Sequence, residues 1–159
     1  MHLSALLNNK GKIYATDYVA MRLKNLALRA KNAGCKNIEI IDFNESKKIK
    51  NANIILIDAP CSGIGTLKRQ ADLKYKINAE KIKEYITIQA QLLETYQNNL
   101  VKSGKIIYAT CSILPQENEL QIEAFLEKNK NFKLVASTQL LPTHYPGDGF
   151  YMACLERIS

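Results

Sequence analysis

The chain has 159 residues, a length that suits one domain with a sizeable core. Its apolar content of 47% argues against disorder, and no apolar run approaches the ~20 residues that span a bilayer. Lys and Arg number 22 against 15 Asp and Glu, giving a charge of +7 and a pI near 9.2, a balance that suits a polyanionic partner such as RNA.

The first residues lack a charged start followed by an apolar core, so a cytoplasmic setting is expected and no membrane contact. Gly11 to Asp17 opens with a glycine and runs through a short strand to a carboxylate. A helical stretch follows, with Met21, Leu23, Leu26 and Leu28 set among Arg22, Lys24 and Arg29, and Ala33-Gly34 stops it. Asn37 to Asp42 is the next strand, again closed by an aspartate. After a lysine-rich connection, Ile54 to Ile57 is an uninterrupted β-branched run, the pattern of a strand covered on both faces.

Positions 68 to 78 are polar and basic and read as loop. The spacing of Ile82, Tyr85, Ile86, Ala90, Leu93 and Tyr96 predicts a helix over 79–101, which Gly104 ends. Ile106 to Ala109 is a further strand, and Pro115 opens a helix through Glu127. Positions 132–136 and 149–158 are expected as closing strands. The order is β-α-β-β-α-β-α-β-β, an α/β layout with a mostly parallel sheet, expected as one domain over 1–159.

Chemistry gathers at the ends of these strands. In open α/β sheets ligands bind beyond the carboxyl ends of the strands. Asp17, Asp42 and Asp58 all sit there. Each can accept hydrogen bonds from a ribose diol or an amino group, although a single aspartate at such a point commonly caps the next turn. Three in succession favour a nucleotide-like cofactor.

Four cysteines stand at 35, 61, 111 and 154 with no C-x-x-C, and the two histidines stand at 2 and 144. No metal site is expected, and in a reducing compartment the cysteines are free thiols. Cys35 and Cys154 read as structural. Cys61 and Cys111 follow apolar strands directly, in Asp58-Ala-Pro-Cys61 and Thr110-Cys111-Ser112, where a thiolate is partly exposed and able to act as a nucleophile.

Two thiols beside a carboxylate and a basic loop suit methylation at pyrimidine C5. That carbon is a poor nucleophile until a thiolate adds to C6, and a second thiol can assist the later release. The base must be reached outside a stack, so a basic, shaped crevice is expected.

The stretches DAPCSGIGTLKR (Asp58 to Arg69) and YATCSILPQENE (Tyr108 to Glu119), with the closing DGFYMACLERI (Asp148 to Ile158), resemble the Sun-type family of RNA (cytosine-5)-methyltransferases, most closely its bacterial small-subunit rRNA branch. The resemblance implies a Rossmann-like class I methyltransferase sheet, mostly parallel with an antiparallel last strand. It also implies S-adenosylmethionine as cofactor and RNA as partner, rRNA ahead of tRNA. By the same resemblance Cys111 is the nucleophile to C6, Cys61 aids product release, and Asp58 lies between cofactor and cytosine. Asp17 and Asp42 match the acids that hold the cofactor's ribose and adenine, and Lys68 and Arg69 lie near the RNA backbone.

The chain departs from that family at its start. Family members carry an earlier strand ending in a glycine-rich loop, D-x-C-A-A-P-G-G-K-T, and this chain is expected to lack both. His2 to Leu7 resembles only the helix that follows that loop. The missing strand is normally central, between those ending in Asp17 and Asp58. A partner chain that supplies the missing part is one expectation; a catalytically impaired RNA- or partner-binding fragment is the alternative to an enzyme.

Overall fold

The computed structural model describes residues 1–144 and 146–159. Contacts divide these into two compact units, Met1–Ile49 and Lys50–Ser159.

In the first unit α1 (His2–Leu6), β1 (Ile13–Ala15), α2 (Ala20–Asn32), β2 (Ile38–Ile40) and α3 (Phe43–Ser46) follow in order. β1 and β2 pair in parallel with Ala15 opposite Ile40, and α2 is the crossover. The glycine stop after α2 is a double closure. Gly34, at φ 67, donates to Lys31 O at 3.1 Å, and Cys35 N donates to Ala30 O at 2.9 Å. Cys35 is therefore part of a helix cap. Buried Ser4 anchors α1, its Oγ 2.6 Å from Asn37 Oδ1.

The second unit holds β3 (Ala52–Asp58), α4 (Leu73–Lys76), α5 (Ala79–Tyr96), β4 (Leu100–Thr110), α6 (Glu119–Lys128), β5 (Phe132–Leu140) and β6 (Phe150–Arg157). Its sheet runs β3-β4-β6-β5, with β3 and β4 parallel and β6 antiparallel to both its neighbours. The antiparallel last strand is as expected. Leu93 of α5, Ile122 and Phe125 of α6, and Ile106, Ala153 and Leu155 of the sheet form its dry interior. Phe125 and Phe132 meet edge to face at 5.2 Å.

Several boundaries differ from the periodic reading. α5 ends at Tyr96 because Gln97–Asn99 tightens into a 3-10 turn and Leu100 already pairs with Ala52. The helix expected from Pro115 begins at Glu119, since Pro115–Glu117 is a separate 3-10 turn. The stretch read as loop contains α4, and β5 extends to Leu140 along its ladder with β6.

One expectation is overturned. β3 is not covered on both faces: Ile55 and Ile57 turn toward the core, while Ile54 and Leu56 are 66% and 53% exposed. The alternation of a strand puts them on the opposite face. β3 is also an outer strand. Among the described residues no strand pairs with its free edge, and β1–β2 forms a separate ladder.

The turn after β3 is held by backbone. Gly63 adopts φ 71, where a side chain is disfavoured. Gly65 donates to Cys111 O at 3.0 Å and accepts from Gly149 N at 2.8 Å. A Cβ on Gly65 would lie 2.2 Å from Gly149 O and 2.7 Å from Cys111 O. Gly65→Ala is therefore expected to lower stability by about 1–3 kcal/mol in denaturant titration, as overpacking does. Leu93→Ala, at a fully buried position, is expected to cost about 2–5 kcal/mol. Ile54→Ala, on the exposed face, is expected to change the midpoint little by the same titration.

Candidate active site

The β3–β4 ladder decides where the two motif cysteines meet. Asp58 lies opposite Ala109, and Ala59 N donates to Ala109 O at 2.9 Å, so pairing continues past the strand end. Both strands run the same way, and both chains then turn into their cysteine segments at the same rim. The outcome is a Cys61 Sγ to Cys111 Sγ separation of 3.3 Å. Both cysteines are free and partly exposed.

The two thiols are not equivalent. Cys111 is lowered to about 7, chiefly because the Cys61 thiol can donate to its sulfur, with burial and the Asp58 and Glu117 charges opposing. Cys61 is raised, first by the same hydrogen bond and then by burial. A thiolate at Cys111 facing a protonated Cys61 is the arrangement this favours. Chemically it offers a nucleophilic sulfur with a proton-bearing sulfur beside it.

Beneath the pair lies a buried polar layer. Glu117, fully inaccessible, receives four donors. Its Oε1 accepts from Ser62 N at 2.8 Å and Gln89 Nε2 at 3.2 Å. Its Oε2 accepts from Ser62 Oγ and Ser112 Oγ, each at 2.5 Å. Ser62 follows Cys61 and Ser112 follows Cys111, so one carboxylate joins both cysteine segments. Asn118 extends the layer, accepting from Thr110 Oγ1 at 2.6 Å and donating to Ser112 O at 3.0 Å. Tyr108 OH donates to Glu117 O at 2.7 Å. Gln89 also donates to Pro60 O at 2.9 Å.

Of the residues read from sequence, Asp58, Cys61, Cys111, Lys68 and Arg69 all belong to this second unit. Asp58, Lys68 and Arg69 are exposed. Arg69 is engaged: its Nε donates to both oxygens of Asp148, at 3.0 and 2.8 Å, which holds the Asp148 carboxyl below the usual range. That pair ties the turn after β3 to the approach to β6.

Asp17 and Asp42 belong to the first unit, each two residues past the paired ends of β1 and β2. Both cap local backbone, as single aspartates at strand ends do. Asp17 accepts from Val19 N at 2.8 Å and from Arg22, and Asp42 accepts from Asn44 N at 2.8 Å. Next to Asp17, Thr16 Oγ1 is buried without a partner. An open cleft of about 470 Å³ runs beside Asp42, lined by Tyr14, Ile41, Glu45 and Lys48 among others. Among the described residues no group of three or more His, Cys, Asp or Glu could hold a metal ion.

Sequence reading missed Glu117, Ser62, Ser112, Asn118 and Gln89. One of them carried a signal. Gln89 lies on the apolar stripe of α5, three residues beyond Ile86 and four before Leu93, where a polar side chain needs a buried partner. The others sit in motif segments whose burial no periodicity reveals.

The model of the family described as 16S rRNA methyltransferase RsmB/F matches residues 1–156. The chain is 30% identical to the probable ribosomal RNA small subunit methyltransferase B of Synechocystis sp., covering 98% of the chain and 40% of that protein. It is 39% identical to ribosomal RNA small subunit methyltransferase B of Photorhabdus laumondii, over 93% of the chain and 37% of the relative. Among solved structures, a methyltransferase homologue from Pyrococcus horikoshii superposes with a TM-score of 0.84 at 26% identity, over 99% of the chain and 57% of the other. NSun6 from the same organism gives 0.88 at 24%, over 99% and 44%. The chain therefore spans no more than 40% of either curated relative. Its fold is the Rossmann-like sheet of these methyltransferases, and with the family model matched across 1–156 the chain belongs to the 16S rRNA methyltransferase RsmB/F family.

Proposed function

We propose that this chain carries the catalytic chemistry of an S-adenosylmethionine-dependent enzyme that methylates C5 of cytosine in RNA, of 16S-type rRNA, through a Cys111–C6 adduct. The observation that carries the reading is the thiol pair: two sulfurs 3.3 Å apart, with Cys111 lowered and Cys61 raised.

In this reading the Cys111 thiolate adds to C6, the ring electrons shift toward N3, and C5 becomes nucleophilic. Bound S-adenosylmethionine supplies the electrophilic methyl group. Once the C5 proton passes to solvent water, the C5–H electrons restore the C5–C6 double bond, the C6–S bond breaks and its electron pair returns to the Cys111 sulfur. The Cys61 thiol, 3.3 Å away, stabilises that sulfur by hydrogen bonding as it leaves. Asp58, at the end of β3, is proposed to contact the cytosine.

The residues present fit the cofactor. Asp17 and Asp42 end neighbouring parallel strands, and Thr16 Oγ1 is a buried polar atom in need of a partner beside them. We assign the ribose and adenine ends to Asp17 and Asp42. Lys68 and Arg69 are proposed to meet the RNA backbone, in keeping with the +7 charge. Residues 1–159 are taken as one catalytic domain in a cytoplasmic setting, where its thiols stay reduced.

A partner chain is favoured by a specific observation. β3 leaves its outer edge unpaired among the described residues, beside exposed Ile54 and Leu56. Such an edge is a template for an added strand. This second reading makes the chain a binding half of the enzyme.

Trapping tests the mechanism. With 5-fluorocytosine-containing RNA and S-adenosylmethionine, Cys61→Ala is expected to accumulate a denaturation-resistant protein–RNA band, and Cys111→Ala none. A band that persists in Cys111→Ala, or no band in Cys61→Ala, overturns the adduct. A mobility shift without any covalent band points to the binding half instead.

The pH dependence follows from the thiol asymmetry. Cys111 lies below the ordinary thiol value, so its thiolate forms on raising the pH through about 7. Iodoacetamide labelling followed by mass spectrometry is expected to find Cys111 labelled ahead of Cys61 at neutral pH, with the rate falling below that point.

A further inference from the structure

The buried layer under the thiols contains a group that the proposed chemistry does not use directly. Glu117 is fully inaccessible and has no cation in contact among the described ion pairs, yet its two oxygens meet four donors. An ionised carboxylate is acceptor-only with about four lone-pair sites, so this donor set fills it. Two donors come from the residue after Cys61 and one from the residue after Cys111. The fourth comes from α5, whose Gln89 also grips Pro60 O. The turn Pro115–Glu117 that presents this carboxylate is itself fastened by Tyr108 OH on Glu117 O.

We propose that Glu117 is a positioning residue that clamps the Cys61 and Cys111 segments together and so keeps the two sulfurs within hydrogen-bond reach. The proposal rests on the reading of that pair as the reacting thiols. It adds that their separation is set from below, by one carboxylate bridging Ser62 and Ser112, and not by the strand ladder alone. The ladder ends at the Asp58–Ala109 pair and the bond from Ala59 N to Ala109 O. Beyond it, the backbone bond from Gly65 to Cys111 O, the Ser62 Oγ to Ser112 Oγ contact at 3.3 Å and the Glu117 bridge join the two segments.

Charge and clamping predict opposite signs, which makes the role testable. The negative charge of Glu117 opposes the Cys111 thiolate. If charge were its whole effect, Glu117→Gln would move the Cys111 labelling midpoint to lower pH. If it clamps, the amide turns an NH2 toward the donors and the thiol pair loosens. The midpoint then rises toward the ordinary thiol range, and because the wild-type midpoint is itself about 7, a midpoint higher by about one on the pH scale slows Cys111 labelling at pH 7 by about fivefold.

The experiment measures iodoacetamide labelling of Cys61 and Cys111 against pH in the full chain. Wild type, Glu117→Gln and Ser62→Ala/Ser112→Ala are compared, with circular dichroism confirming a folded population. The double serine variant removes both hydroxyl donors while keeping the charge, and it decides the matter should Glu117→Gln fail to fold. A raised Cys111 midpoint in the folded variants supports the clamp. A midpoint unchanged or lowered in folded Glu117→Gln, or unchanged in the double variant, overturns it. Labelling needs neither RNA nor cofactor. The clamp can therefore stand when the trapping experiment fails, and can fall when trapping succeeds.

Discussion

Asp58 lies opposite Ala109 in a parallel ladder, and that register governs what the rim of the sheet can do. Parallel strands deliver their following segments to the same side. Here those segments are Ala59-Pro60-Cys61 and Thr110-Cys111, so the pairing brings together two thiols 50 positions apart in sequence. A slip of one residue would turn every side chain of β3 to the other face and carry Ile55 and Ile57 out of the core. The hydrophobic burial of those two residues therefore fixes the register, and the register brings the two cysteine segments to one rim.

A ladder cannot by itself set a sulfur–sulfur distance, because it stops where the reactive segments begin. Polar contacts take over at that point. Two kinds of interaction are present, and they differ in what they tolerate. The Gly65 contacts to Cys111 O and Gly149 leave no room for a Cβ, so shape alone dictates the residue. The Glu117 contacts are charge-assisted hydrogen bonds, short and directional, in a site without water access. Burying a carboxylate is costly unless its oxygens are satisfied, and four donors offset that cost here. Removing one donor would leave part of that cost uncompensated.

Side chains beyond the strand ends are likewise occupied locally. Asp17 and Asp42 serve local backbone, and Arg69 is occupied with Asp148. Each carboxylate oxygen has two lone pairs, so capping and ligand binding are compatible at one residue, although the second oxygen of Asp17 also accepts from Arg22 at 3.3 Å. The buried, unpartnered Thr16 hydroxyl beside Asp17 stands out because polar groups in protein interiors are almost always paired.

The sequence alone determined the strands, their polarity at the rim and the two cysteine motifs, because each depends on near neighbours along the chain. Apolar runs, glycine stops and the strings around Cys61 and Cys111 are local facts. The family resemblance carried by those strings is matched by the family model across 1–156. Tertiary structure decided the rest. It made β3 an outer strand with one open face, began α6 at Glu119, and drew Ser62, Gln89, Ser112 and Glu117 into one network. A hydrogen bond between Ser62 and Glu117 spans 55 positions, and nothing in local spacing encodes such a contact. Burial of Glu117 follows from where α5, β4 and the loops close over it, which is a property of the folded chain and not of any segment.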